Sequence, residues 1–360
     1  MPRDHPCLQL RKFVSSNFIF PPGSGKISRV PPLTLARNAM NTRFEIALHG
    51  GGPDRLRALA EEALDEITRL DAQLSAYNRL SELSQINARA AGEPVRVEPQ
   101  LFRLLQHAKR LWSETGGAFD ITIAPLMRAW GFVRDTGRRP TAAELEAARA
   151  CTGMQHVHLD EGGFTVRFAR PGMVLDLGAI GKGYALDRAG RILREAEVAG
   201  ALLHGGTSSV LAIGADAEGN PWRVAIEHPR PALSGMTPAG GLSIHRATHT
   251  TTPEILAVVP LRDESISVSA VWGKAFEADG RVYGHVMDPR RDEPTDSACL
   301  AAVVLPSATE TDALSTALLT LGPAGLEKLA ALREGMRALV VSPAASGFQV
   351  AVRGIAASSV

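Results

Sequence analysis

The sequence predicts an α+β fold, a mixed body of helices and strands in one large or two closely packed lobes, and three observations predict it. Its 360 residues exceed a minimal fold and fall short of three ordinary domains. Hydrophobic residues make up 45% and charged residues 21%, a balance that buries a core and excludes a disordered or fibrous chain. Helical and strand periods both occur but do not alternate strictly, which argues against a doubly wound parallel sheet.

Residues 1–36 mix Pro, Gly, Ser and basic residues without an apolar period, so a loosely ordered leader is expected there, with the folded domain over 37–355. Phe44, Ile46 and Leu48 alternate as a strand does, and Gly50-Gly51-Gly52-Pro53 ends it. From 54 to 74, Leu56, Leu59, Ala63, Ile67, Leu70 and Leu74 recur at spacings of three and four, which makes one stripe of an amphipathic helix. A second helix is expected over about 101–112. Thr141-x-x-Glu144 and Ser307-x-x-Glu310 are capping-box patterns that open two more, and Gly322 is placed to stop the latter. Strands are expected at 174–177, 201–203, 222–226, 255–259, 266–269, 300–305 and 338–341. Residues 229–264 look like a long excursion between strands.

A formal net charge of +1 gives no field that would draw the whole molecule to nucleic acid or an anionic membrane, so an anionic ligand has to be held locally. Cys7, Cys151 and Cys299 are odd in number and far apart, against a disulfide framework or a thiolate zinc site. The apolar piece Phe18-Ile19-Phe20 is too short for a secretory core, and no later run approaches the roughly 20 residues of a membrane span. A soluble, cytoplasmic protein is expected.

Five segments could carry chemistry. Gly116-Gly117-Ala118-Phe119-Asp120 leaves a helix through two glycines, which either brings backbone close to a ligand or simply ends the helix. In Asp176-Leu177-Gly178-Ala179-Ile180-Gly181-Lys182-Gly183 a Gly-rich turn opens a helix, an arrangement that binds anions through free amides and the helix dipole. The bland alternative makes Lys182 and Asp187 a helix-surface pair. His204-Gly205-Gly206 repeats the strand-then-glycine arrangement, and a plain tight turn would explain it. His285 ends a strand-like run, where acid/base groups concentrate. Asp312 and Thr316 stand four apart on one helix face and could grip one hard cation alongside substrate phosphates; alternatively Thr316 back-bonds to the helix and Asp312 offsets its dipole.

Taken in order, Ala39-Met40-Asn41-Thr42, Leu74-Ser75-x-Tyr77, Gly117 to Thr122 with Pro125-Leu126, Trp130-Gly131-Phe132, Asp176 to Gly183, Gly205-Gly206, His285 to Pro289 and Thr311 to Thr316 resemble the ApbE family, the FAD:protein FMN transferases. The resemblance covers about residues 37–350. It implies a mixed α/β, two-lobed fold with FAD in a cleft, and the transfer of FMN from FAD to a threonine or serine hydroxyl of an acceptor, a flavoprotein subunit of a redox complex, with release of AMP. By the same resemblance Met40, Tyr77, Ala118, Phe119, Asp120, Asp176 and Lys182 bind FAD. The Ala179 carbonyl, Asp312 and Thr316 hold Mg²⁺, and His285 is the general base.

The chain departs from the family pattern at Asn41 and Ala270, where glycine is usual, and at Asp292, where a glycine is expected. Added Cβ atoms there are expected to reshape the pocket or, at the extreme, to abolish turnover. Two other functions share these residues: a Mg²⁺-dependent FAD pyrophosphatase giving FMN and AMP, and a catalytically impaired FAD-binding protein.

Overall fold

Eight strands form the central sheet, in the spatial order Leu33–Ala39, Thr42–His49, Gly200–Gly205, Ser209–Gly214, Ser265–Ala270, Leu300–Leu305, Arg337–Pro343 and Phe348–Arg353, each antiparallel to its neighbours. The computed structural model describes residues 32–133, 136–229, 255–271, 273–345 and 347–357. Most of the expected leader, most of the 229–264 excursion, and Cys7 lie outside them. The first strand corrects the leader's boundary: Leu33 and Leu35 alternate with exposed neighbours and pack on the core, a period of two that Pro31-Pro32 obscures.

Strand Leu300–Leu305 shows how the sheet is covered. It is buried at every position because successive side chains point to opposite faces. Ala301, Val303 and Leu305 join the larger core, and Leu300, Ala302 and Val304 join a second cluster with Trp222, Ile226 and Leu261. On the larger-core face lie helices Pro53–Leu74, Gly181–Glu195 and Ala308–Leu321. The hairpin Trp222–Glu227 and Ile255–Leu261 covers the other face. The Pro53–Leu74 helix buries Leu56, Ala63, Ile67, Leu70 and Leu74 of the stripe read from its spacing, and Leu59 packs half-buried against the same core. A third, smaller cluster gathers Leu126, Trp130, Phe132, Tyr283 and Met287 beside helix Ala142–Ala150 and hairpin Ala275–Ala278 and Arg281–Gly284. The mixed α+β expectation therefore holds.

Two local expectations are corrected. Residues 174–177 join no strand among the described residues; Asn87 takes the ladder's place, accepting the Leu175 amide at 2.8 Å and donating to its carbonyl at 2.9 Å. Thr141 and Glu144 close both halves of a capping box, but Ser307 closes only one. The Glu310 carboxylate turns instead to His107 and Arg333, which outweigh the opposing effect of burial and hold it well below its usual range, at about 2.

Candidate active site

Asp312 is the centre of the arrangement. It lies on helix Ala308–Leu321, 4% exposed, and a buried carboxylate is tolerated only when paired or hydrogen-bonded. Its Oδ2 accepts the Gly183 amide at 3.0 Å, its Oδ1 the Ser209 hydroxyl at 3.2 Å, and the Lys182 ammonium stands 3.5 Å from Oδ1. Gly183 permits this approach: a Cβ there would run into the Ala308 carbonyl and come within 2.8 Å of the Asp312 Cβ. Gly183→Ala should therefore force the two helices apart and lower stability by about 1–3 kcal/mol in a chemical melt. An unchanged midpoint would contradict this packing.

Because the Gly183 amide turns to Asp312, it does not reach the carbonyl four residues back, and no donor among the described residues satisfies Ala179. Thr316 donates its hydroxyl to the Asp312 carbonyl at 3.2 Å and lies 3.2 Å from the Ser269 hydroxyl. The back-bonding alternative is thus present in Thr316; with its hydrogen so donated, Thr316 can only accept from Ser269, which leaves one lone pair of its oxygen open. Asp312 and Thr316 present a carboxylate and a hydroxyl from one helix, and the Ala179 carbonyl stands four residues before the amide that Asp312 accepts; oxygen donors of these kinds are the ones a hard cation takes.

The surface-pair alternative for Lys182 and Asp187 fails. Lys182 turns to Asp312 and to the Gly178 carbonyl at 3.2 Å. Asp187 caps helix Ala308–Leu321 through the Ser307 hydroxyl, the Ala308 and Thr309 amides and the Thr309 hydroxyl, at 2.6–2.9 Å. Together these contacts clamp the Gly181–Glu195 helix to the one that carries Asp312.

Asp176 accepts the Gly178 amide at 2.8 Å, and its own amide donates to the Ile121 carbonyl at 2.7 Å, which sets it beside Asp120. The Ala118 carbonyl accepts the Thr320 hydroxyl at 3.1 Å. Helix Ala308–Leu321 thus carries Asp312 and Thr316 and, two turns or about 12 Å beyond Asp312, the contact with Ala118. Phe119 is fully buried.

Asp120, 8% exposed, accepts the Thr122 amide and hydroxyl at 2.7 and 2.6 Å. Burial outweighs these bonds and pushes its carboxyl up to about 6. Since the folded state holds this proton more tightly than the unfolded chain, the stabilisation is full below about pH 4 and lost as pH rises through about 6. Relative to Asp120→Asn, the wild type should lose about 3 kcal/mol of stability between those limits. Parallel pH–stability curves would contradict it.

Asp120 also lines a cleft of about 790 Å³ between Gly116-Gly117 and Pro289, Arg290 and Asp292. Lys182, Asp312, Thr316 and His285 do not line it. Arg290 crosses from the cleft to the Asp312 helix, pairing with Asp288 at 2.6 Å and reaching the Thr320 carbonyl at 3.3 Å.

His285 follows strand Arg281–Gly284 and faces Gly273. Its Nδ1 is buried without a hydrogen-bond partner among the described residues, and desolvation lowers the ring's pKa. No hydrogen bond joins it to Asp312 or Thr316. Tyr77 stands 69% exposed on the turn after helix Pro53–Leu74.

The departures at Asn41, Ala270 and Asp292 are accommodated by the backbone. Met40 and Asn41 both have positive φ, 48° and 57°, in the two-residue hairpin closed by Ala39 and Thr42, a type I′ geometry in which Asn is favoured. Asp292 has φ 58°, pairs with Arg149, and offers its carbonyl to the Trp130 indole at 2.9 Å. Ala270 is an ordinary strand residue opposite Leu300. The Met40 turn lies beside Gly206, whose amide donates to the Arg43 carbonyl at 3.0 Å. Ser209, which holds Asp312, escaped the sequence reading, because only the pairing of Gly200–Gly205 with Ser209–Gly214 brings it there.

The chain resembles proteins of known structure and sequence along most of its length. It is 28% identical over 320 residues to the FAD:protein FMN transferase of Salmonella typhimurium, covering 88% of this chain and 85% of that one. It is 31% identical over 281 residues to an FAD:protein FMN transferase of Klebsiella pneumoniae, covering 77% and 79%. Among solved structures, the apo flavinyl transferase ApbE of Pseudomonas stutzeri superposes with a TM-score of 0.72 at 30% identity, over 90% of this chain and 95% of that one. The ApbE protein of Thermotoga maritima gives 0.74 at 26% identity, over 91% and 96%. The model of the ApbE family matches residues 40–340, a span that contains every site residue described above, and the chain belongs to the ApbE family.

Proposed function

We propose that this chain is an FAD:protein FMN transferase, which moves FMN from FAD to a threonine or serine hydroxyl on a flavoprotein subunit of a redox complex and releases AMP. The observation that carries the reading is the buried Asp312 carboxylate at the start of helix Gly181–Glu195, 3.5 Å from the Lys182 ammonium and accepting the Gly183 amide, four residues after the Ala179 carbonyl. A helix N-terminus with an ammonium favours a phosphate, and an oxygen donor set next to it favours a cation.

In this reading Lys182 and the Gly178–Gly181 turn hold the FAD diphosphate, with Asp176 ordering the turn through the Gly178 amide. Met40, Tyr77, Ala118, Phe119 and Asp120 contact the rest of the dinucleotide. Asp312, Thr316 and the Ala179 carbonyl would hold Mg²⁺, which when bound offsets the negative charge developing on the pyrophosphate. His285 takes the proton from the acceptor hydroxyl as its oxygen bonds to the FMN phosphorus. The bond from that phosphorus to the bridging oxygen breaks, and the electron pair leaves with AMP. Burial keeps His285 neutral at pH 7, the protonation state a base requires.

Incubating the protein with FAD and magnesium, with and without a candidate acceptor subunit, and following AMP by chromatography tests the reading. AMP release that requires the acceptor supports transfer. Equal release in both arms would make the protein an FAD pyrophosphatase, and no release in either an FAD-binding protein.

A further inference from the structure

We infer that the turn over residues 75–81 is the surface on which the acceptor protein docks, with Leu80 as its apolar anchor and Arg79 as the cation that selects an acidic neighbour. The inference rests on the proposed transfer. Leu80 is 89% exposed. A single exposed leucine is ordinary, but this one is carried on a turn with a tightly fixed backbone. Ser75 Oγ accepts the Tyr77 and Asn78 amides at 3.2 and 3.1 Å, and Asn78 Oδ1 accepts the Leu80 amide at 3.0 Å. The Ser81 hydroxyl donates to the Ser75 carbonyl at 2.5 Å, and Gln85 donates to the Arg79 carbonyl at 3.0 Å. An apolar side chain is thereby held out in water in one place, as pre-organised recognition requires.

The neighbours give the partner's chemistry. The Arg79 guanidinium is exposed and makes no hydrogen bond or ion pair among the described residues. Tyr77, two residues back, belongs to the proposed flavin site. On the other side, helix Glu82–Arg89 begins at Ser81 and carries Asn87, which clamps Leu175 next to Asp176. The turn is therefore tied, through Tyr77 and this helix, to the proposed flavin site, which the protein bearing the reacting hydroxyl has to approach. The fitting occupant is an acceptor segment with an apolar side chain and a carboxylate. A second copy of this chain fits less well, since a two-fold contact would bring the Arg79 of each copy to the same patch.

Leu80→Asp and Arg79→Glu test the surface by steady-state FMN transfer to a flavoprotein subunit that the wild-type protein modifies. Each should raise the KM for that subunit by roughly tenfold or more. The kcat and the FAD dissociation constant, read by flavin fluorescence, should not change, and the Arg79 effect should shrink with added salt. An unchanged KM in both variants, with thermal melts like the wild type's, overturns the docking surface and leaves the transfer reading intact. Failure of the wild type to modify any flavoprotein subunit overturns the transfer reading and this surface with it. A wild-type dimer that Leu80→Asp dissociates without changing the KM assigns the turn to a second copy and overturns the proposal.

Discussion

Replacing His285 by Ala should lower the rate of FMN transfer by roughly 10²–10⁴, the usual contribution of a positioned general base, while FAD affinity stays within a few-fold. The separation follows from where the ring sits. His285 makes no hydrogen bond to Asp312 or Thr316; the Lys274 backbone engages the ring, and its Nδ1 has no hydrogen-bond partner among the described residues. Burial lowers the ring's pKa from its ordinary 6.5. The acid limb of the wild-type pH–rate profile should therefore lie below that value and vanish in the variant. Stopped-flow transfer rates across pH and a flavin-fluorescence titration supply both readouts. A variant with normal rates, or one that loses FAD affinity in proportion to rate, would remove His285 from proton transfer.

Neutralising Asp312 should abolish AMP release at ordinary magnesium concentrations. Asp312→Asn is the informative change, because Asp312→Ala would also strand the buried Gly183 amide and Ser209 hydroxyl, at about 1–3 kcal/mol for each unsatisfied group. The asparagine keeps an acceptor for the amide and loses the charge. Thr316→Val should depress turnover less, with elevated Mg²⁺ restoring part of it, since the proposed site would lose one neutral donor and keep Asp312 and Ala179. Had Asp312 served only the helix dipole, its removal would cost about 0.3–1 kcal/mol and leave the metal dependence of turnover as it was. The buried position of Asp312 already disfavours that alternative. Activity against magnesium in the wild type and both variants, with melts alongside, separates the two accounts: overlapping metal curves with lowered midpoints would contradict the cation site.

What was legible in the sequence was what is local. The stripe from Leu56 to Leu74 and the Thr141 capping box depend on neighbours within a few residues, and each formed as its spacing implied. What was not legible depends on distant partners. Asp187 looked like a surface residue on its own helix, yet it caps another helix more than a hundred residues away. Residues 174–177 carry a strand's composition, but the side chain of Asn87 satisfies the Leu175 backbone in place of a ladder. Ser307 announced a reciprocal cap, and Arg333 drew Glu310 away from it. At the site, Asp312 and Thr316 could be paired from helical spacing alone. Their link to Lys182, Gly183 and Ser209 arises only when two helices and a hairpin meet. The same holds for Asn41 and Asp292, whose tolerance in place of glycine is set by a type I′ turn and by Arg149.

The central claim is that these residues move FMN onto a protein hydroxyl, and the intact mass of an acceptor flavoprotein subunit tests it most directly. After incubation with the protein, FAD and magnesium, the subunit should gain one covalent FMN at a threonine or serine, with one AMP released for each FMN attached. An acceptor of unchanged mass while AMP accumulates would contradict the account.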